Sequence, residues 1–316
     1  MIKTTEDAYL ADKETGEATF IPKGSVIRTK QEQERDVRYA VMRQERETQN
    51  KETAVMKDKT CGDFFWSLYR VGEEYHPDVP DTLLVKIIYL LTYLDYDSNS
   101  LVVRDAANTK YRPMTKADVK NLIQLHRSKF DSFWTQMLET GIIKEDSGGK
   151  LVVDSSFRKG SLSKSDKRGQ AAIKIFTHAV RYLYENTDVR SHKYLAYFYR
   201  LIPYINLRHN ILCSNPFEGD KSEIRKITIK DVCHILGIDE SHQSRLKDSL
   251  FKLRFIDKNG DNRSVITVMT NYKNDEKRDF ILINPQFYSG YIPKNDLLTE
   301  IEMFAVDRLE GRENNV

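Results

Sequence analysis

Thr115-Lys116-Ala117-Asp118-Val119 and Thr228-Ile229-Lys230-Asp231-Val232 decide how this chain is read. In each, a threonine stands three residues before an aspartate and an apolar residue follows, a variant of the capping box that opens helices. The offset between them is 228 − 115 = 113. It holds without a gap through Phe133 and Leu246, Met137 and Leu250, Leu138 and Phe251, Ile142 and Phe255, and Ile143 and Ile256.

Upstream, Tyr93-Leu94-Asp95 matches Tyr204-Ile205-Asn206, and Asn99-Ser100-Leu101 matches Asn210-Ile211-Leu212. Downstream, Leu151-Val152-Val153-Asp154 matches Ile281-Leu282-Ile283-Asn284, followed by Phe157 with Phe287 and Gly160 with Gly290. The residues added in the second copy fall within Asp257–Asp279, where a hairpin can lengthen freely. Residues 82–160 therefore recur at 193–290 as a tandem repeat.

Each copy reads as helix, short strand, helix, turn, helix, strand, hairpin, strand, the order of a winged helix. The expected fold is mainly α with small β content (α+β): two tandem winged-helix domains behind an N-terminal β-hairpin and helix arm. The expected divisions are 1–59 for the hairpin and charged helical arm, 60–160 for the first domain and 161–190 for a basic linker with a connecting helix. The second domain takes 191–293 and an acidic C-terminal tail 294–316. Phe64-Phe65-Trp66-Ser67-Leu68-Tyr69 reads as an aromatic helix, and a long helix is expected from about Gln170 to Glu185.

Hydrophobic residues make up 40% of the chain and charged residues 31%, enough to build cores in a soluble protein. The longest apolar run, Leu83–Leu94, is too short to span a bilayer, and the N-terminus lacks the apolar stretch of a signal peptide. A cytoplasmic, nucleoid-associated protein with no membrane partner is expected. Three cysteines without a CxxC pair argue against a disulfide framework or a zinc ribbon. His209, Cys213, Cys233 and His234 resemble a metal set, but the two cysteines hold core-type positions in the repeat. No GxxxxGK[ST] loop is present. His242-Gln243-Ser244-Arg245 matches a short H-x-x-R pattern of tyrosine recombinases, with Tyr272, Tyr288 and Tyr291 downstream, yet it falls on a helix already explained by the repeat. The expectation is a protein with no cofactor, no metal and no catalytic residues.

Net charge is only +3, so its distribution says more than its sum. Phe157 to Arg168 is basic, whereas the chain from Asn295 onward is acidic. The second inner helix of each copy carries a polar outward face suited to base edges in a major groove. In the first copy this set is Arg127, Ser128, Lys129, Ser132, Thr135 and Gln136, with His126 at the turn. In the second it is Ser241, His242, Gln243, Ser244, Arg245 and Lys247, with Asp248 beside them. Arg263, Lys273, Lys277 and Arg278 of the longer hairpin, and Arg158, Lys159, Lys164, Lys167 and Arg168 of the connector, are candidates for phosphate contact.

Residues 8–160 resemble the plasmid replication proteins of Gram-positive bacteria known as the replication L family. The likeness rests on Asp12-Lys13-Glu14-Thr15-Gly16-Glu17 and Cys61-Gly62-Asp63-Phe64-Phe65. It continues through Thr115–Asn121, Glu139-Thr140-Gly141-Ile142-Ile143-Lys144 and Phe157-Arg158-Lys159-Gly160. The second copy departs from that family, and the paired arrangement is similar to theta-type plasmid initiators and to phage regulators. The resemblance implies sequence-specific binding of double-stranded DNA by a plasmid or bacteriophage protein, as a replication initiator or a transcription regulator. The partners expected are double-stranded DNA, a second copy of the chain through the N-terminal arm, and host replication or transcription proteins. A module that binds only such host proteins is the alternative.

Overall fold

The computed structural model describes residues 2–3, 5–11, 15–24, 26–27, 37–41, 43–44, 48, 60–96, 98–105, 110–162, 170–273, 276–290 and 294–306. The chain divides into two compact units, Met1–Met56 and Lys57–Val316.

In the first unit β1 (Ile2–Lys3) pairs antiparallel with β4 (Val26–Ile27), and β2 (Ala8–Ala11) pairs with β3 (Ala18–Ile21). The turn between β2 and β3 contains Gly16 at φ +72°, a left-handed conformation that glycine adopts without strain. Tyr9 and Phe20 face each other across this hairpin, ring centroids 5.3 Å apart.

The second unit is organised around one four-stranded antiparallel sheet in the order β10-β5-β11-β16. Its strands are β5 (Phe64–Tyr69), β10 (Phe157–Arg158), β11 (Ala171–Phe176) and β16 (Tyr288–Ser289). At its centre Phe65 pairs with Ile175 and Trp66 with Lys174. Over it lie α1 (Asp81–Leu91), α4 (Thr177–Asn186) and α5 (His192–Arg200). Helix α1 is buried on nearly every side, from Leu83 to Leu91 with only Lys86 half-exposed, as expected of the innermost helix of a core. The C-terminal end of α5 meets the N-terminal end of α1, where Arg200 reaches Asp81 at 3.1 Å and donates to the carbonyls of Tyr75, His76 and Val79. At the other end Tyr89 of α1 stacks on Tyr184, whose ring also contacts His192.

Two peripheral sets of elements flank this centre. The first contains the hairpin β6 (Val102–Arg104) and β7 (Tyr111–Pro113), helices α2 (Lys116–Ile123) and α3 (Arg127–Glu139), and the hairpin β8 (Ile143–Glu145) and β9 (Leu151–Val153). The second contains α6 (Ile229–Ile235), α7 (Gln243–Phe251) and the hairpin β12 (Arg254–Ile256) with β13 (Asn262–Ser264). It is completed by the longer hairpin of β14 (Ile266–Lys273) with β15 (Glu276–Ile283).

The expected mainly-α pair of tandem winged-helix domains is overturned. The fold is α+β, with 38% helix and 24% strand distributed over several small antiparallel sheets. The two halves do not close on separate cores, because β5 and β11, flanked by β10 and β16, complete a single sheet and one apolar cluster runs from Phe65 to Tyr288. Two misread elements account for the error. Phe64–Tyr69 is a strand rather than an aromatic helix, and the expected helix from Gln170 to Glu185 is strand β11 followed at once by α4. Residues 171–186, expected to belong to a linker segment, are thus part of the core.

Residues 294–306 of the expected acidic tail are packed against the body. Helix α8 (Lys294–Glu302) buries Leu297 and Ile301, and Phe304 lies in a cluster with Ile211, Cys213 and Phe280. The amide of Ser264 donates to the Phe304 carbonyl at 2.9 Å. Among the described residues no helix is long and apolar enough to cross a membrane.

Candidate nucleic-acid interface

Helices α2 and α6 begin with the same device. The Thr115 hydroxyl accepts from the Asp118 amide at 3.3 Å while the Asp118 carboxylate accepts from the Thr115 amide at 2.8 Å. Thr228 and Asp231 repeat this at 3.3 and 2.6 Å. Each satisfies helix donors that would otherwise be orphaned. Arg112 adds a two-pronged ion pair to Asp118 at 2.6 and 2.8 Å, which holds that carboxyl well below its usual range, helped by the Thr115 bonds.

The following helix of each set buries one face and exposes the other. In α3, Phe130, Phe133, Trp134 and Met137 are buried, while Arg127, Ser128, Lys129, Ser132, Thr135 and Gln136 are exposed. His126 stands exposed at the N-cap, its Nδ1 3.5 Å from the Ser128 hydroxyl. Gln136 Nε2 donates to the Ser132 hydroxyl at 3.4 Å, so these two side chains form one polar ridge.

In α7, Leu246 and Leu250 are buried and Ser244, Arg245, Lys247 and Asp248 are exposed, with Gln243 half-buried. Ser241 and His242 are exposed but stand outside α7, in the 3-10 turn Glu240–His242. Asp239 caps that turn by accepting from the Ser241 amide at 2.8 Å. Glu240 fastens it to α6 through His234 at 2.9 Å and Lys230 at 3.0 Å.

Arg263 departs from expectation. Rather than reaching outward from a hairpin, its side chain is 5% exposed and held by Asp257 at 3.0 Å and by Asp261 and Glu302 at 3.1 Å each. A guanidinium so enclosed cannot reach a phosphate without leaving the buried Asp257 carboxylate uncompensated. Burial pushes Asp257 up, but the Asp261 amide and the Arg263 guanidinium outweigh it, and its carboxyl is held below the usual range.

Arg158 and Lys159 are half-buried, and Lys159 lies 3.5 Å from Asp63. Lys164, Lys167 and Arg168 lie outside the described residues, as do the side chains of Lys273, Lys277 and Arg278 in β14 and β15. So does most of the 30–59 segment assigned to dimerisation.

The three cysteines are buried and form no disulfide. Cys213 and Cys233 belong to different apolar clusters, and burial raises both thiols, Cys213 to about 11. His209 points instead at the Gly219 carbonyl, 3.2 Å from its Nε2. Tyr288 is fully buried and stacks on Phe198 within the core.

Two groups of residues at this surface escaped the sequence reading. Thr82 and Lys86 of α1 line a cleft with Ser128, Lys129 and Gln136 of α3. Lys193, Tyr194 and Tyr197 of α5 line another with His242 and Arg245. The signal was present: the upstream match of Tyr93 to Tyr204, carried back along the chain, sets Thr82 opposite Lys193 and Lys86 opposite Tyr197. Neither a protein-family model, nor a curated protein, nor a solved structure matches this chain.

Proposed function

We propose that the chain binds double-stranded DNA in a sequence-specific way through the outward faces of α3 and α7, at an operator or an origin of a phage or plasmid. The observation that carries this reading is the pair of faces themselves. Each follows an identically capped helix, buries an apolar stripe and turns a polar face outward. Those faces carry the side chains suited to base edges: Gln136 and Gln243 for adenine, Arg127 for guanine, with serine and threonine as adaptable donors. Lys129 and Lys247 supply charge for phosphates, the sequence-independent part of affinity. No reaction is assigned to the protein under this reading.

The experiment is selection of bound duplexes from a random pool by the full chain, followed by footprinting of the enriched sequence. An enriched motif with a protected tract is expected. Micromolar binding that is blind to sequence would overturn the reading. Whether the selected motif occurs in a promoter or as repeats beside a replication gene then separates a regulator from an initiator.

A further inference from the structure

The cleft between α1 and α3 and the cleft between α5 and α7 are the same site built twice. Strands β5 and β11 pair antiparallel at the centre of the sheet, with β10 added outside β5 and β16 outside β11. Half a turn about an axis between β5 and β11 leaves that arrangement unchanged. The same half-turn exchanges α1 with α5, which pack directly on each other with opposite ends together. It also exchanges the bridge Leu94–Leu101 with Ile205–Leu212, and the capped helix α2 with α6.

The linings of the two clefts correspond under this exchange. Leu125 answers to Ile238, Lys129 to His242, Ser132 to Arg245 and Phe133 to Leu246. The residues differ, but the charge does not. The first cleft holds Lys86 and Lys129, and the second Lys193 and Arg245. Each thus keeps two cations, contributed by non-equivalent positions. Neither cleft is lined by an acidic side chain. A solvated surface with no task would not need the cation pair to reappear at new positions.

We infer that these two clefts each grip a phosphate of the same DNA duplex, on opposite strands and at positions related by a local twofold axis of the DNA. The inference rests on the DNA-binding reading above. A rotation preserves height along its axis, so whatever one cleft faces in that direction its mate faces too. Duplex DNA carries twofold axes perpendicular to its length, which relate phosphates of its two strands. In the first cleft Lys86 already donates to the Thr82 carbonyl at 2.8 Å, and burial lowers its ammonium below the ordinary value. An anion in the cleft offsets that cost. In the second, Lys193 Nζ lies 5.2 Å from the centre of the Tyr194 ring, and Ser249, Lys193 and Arg245 lower that hydroxyl below its ordinary value, so the surroundings already favour negative charge.

The test is salt-dependent binding of the full chain to its selected duplex, together with Lys86→Gln, Lys193→Gln and the double variant. Each single change is expected to lower the slope of log K against log salt by about one, and the double by about two, with similar losses on all sequences. Lys129→Gln, at an exposed position, repeats the first-cleft test should Lys86→Gln melt early. Phosphate-ethylation interference on the wild type is expected to mark two positions on opposite strands, symmetric about one point. Unchanged slopes in the variants, or interference on one strand only, overturn the inference while leaving DNA binding standing. If the wild type binds no duplex, both fall. Inorganic phosphate provides the remaining arm: protection of either cleft by millimolar phosphate without duplex binding identifies a free-phosphate site and overturns the duplex clamp.

Discussion

Asn99 and Asn210 adopt the same left-handed backbone, φ +54° and +50°, and their side-chain amides do the same job in the two halves. Asn99 Nδ2 donates to the carbonyls of Val153 at 2.9 Å and Phe157 at 3.0 Å. Asn210 Nδ2 donates to those of Ile283 at 3.2 Å and Tyr288 at 2.6 Å. Each carbonyl in turn accepts from the hairpin, Asn99 from the Val153 amide and Asn210 from the Ile283 amide. One residue thus bends the chain and fastens a hairpin to an edge of the central sheet. Asparagine tolerates the left-handed region better than other side-chain-bearing residues. Asn210→Ala is expected to cost about 2–4 kcal/mol, from left-handed strain of roughly 1–2 kcal/mol and lost buried hydrogen bonds near 1 kcal/mol each. Asn210→Gly should recover the backbone part and leave the rest. Urea denaturation of the three proteins reads the difference, and equal losses for Ala and Gly would refute the role given to the backbone.

Arg263 is expected to matter for folding and not for DNA. Arg263→Ala leaves Asp257, 1% exposed, without its guanidinium. Breaking a buried pair on one side typically costs about 3–5 kcal/mol. The same variant should keep the wild-type salt slope on DNA at temperatures where it remains folded. A lowered slope with unchanged stability would return Arg263 to the interface.

Acid should weaken the fold from the histidine range downward. His76 is stacked on Phe157, ring centroids 5.3 Å apart, and burial lowers its pKa to about 4, with nearby Arg200 adding to the shift and Asp154 opposing it. The unfolded chain takes up this proton near the ordinary value, and the folded chain only near 4. Stability is therefore full above the ordinary histidine value and falls as pH drops from there towards 4. The expected loss is on the order of 2–3 kcal/mol. His76→Asn, which suits the left-handed backbone at φ +50°, should flatten the stability curve over that window. An unchanged curve would mean that other groups set the acid response.

Gln243 and Gln136 should act on different parts of one binding site. Gln243→Ala is expected to cost about 1–3 kcal/mol and to relax base preference at one end of the motif, and Gln136→Ala to do so at the other. Repeating the duplex selection with each variant checks this. Relaxation at the same base position in both would exclude two separate reading surfaces.

The peripheral helices were legible because each carries its own signals: a capping pair, an apolar stripe and a turn. The central sheet was not. Strand β5 buries four of its six residues, including the adjacent Ser67, Leu68 and Tyr69, so alternation is lost and an aromatic run looks helical. Strand β11 passes into α4 at Phe176–Thr177 with no glycine or proline between them, and Ile173, Phe176, Val180 and Leu183 then mimic one helical stripe. The tail hid a readable pattern, since Leu297, Ile301 and Phe304 follow helical spacing within an acidic stretch. Arg263 was misassigned because basic charge near a hairpin was weighed without Asp257 and Asp261, six and two residues away. Lys86 and Lys193 were overlooked because they sit on helices most of whose other residues are buried.

The interleaved sheet also constrains how this chain can change over generations. Outward positions on α3 and α7 can drift independently, since each touches only its own surroundings. A change in β5 or β11 is felt by both halves, because each strand is the other's neighbour. Exchange of one half with a related protein would have to preserve a shared seam in the register of Phe65 with Ile175. Under the proposed DNA-binding role, new specificities would therefore be more accessible by point substitution on the two helices than by shuffling halves.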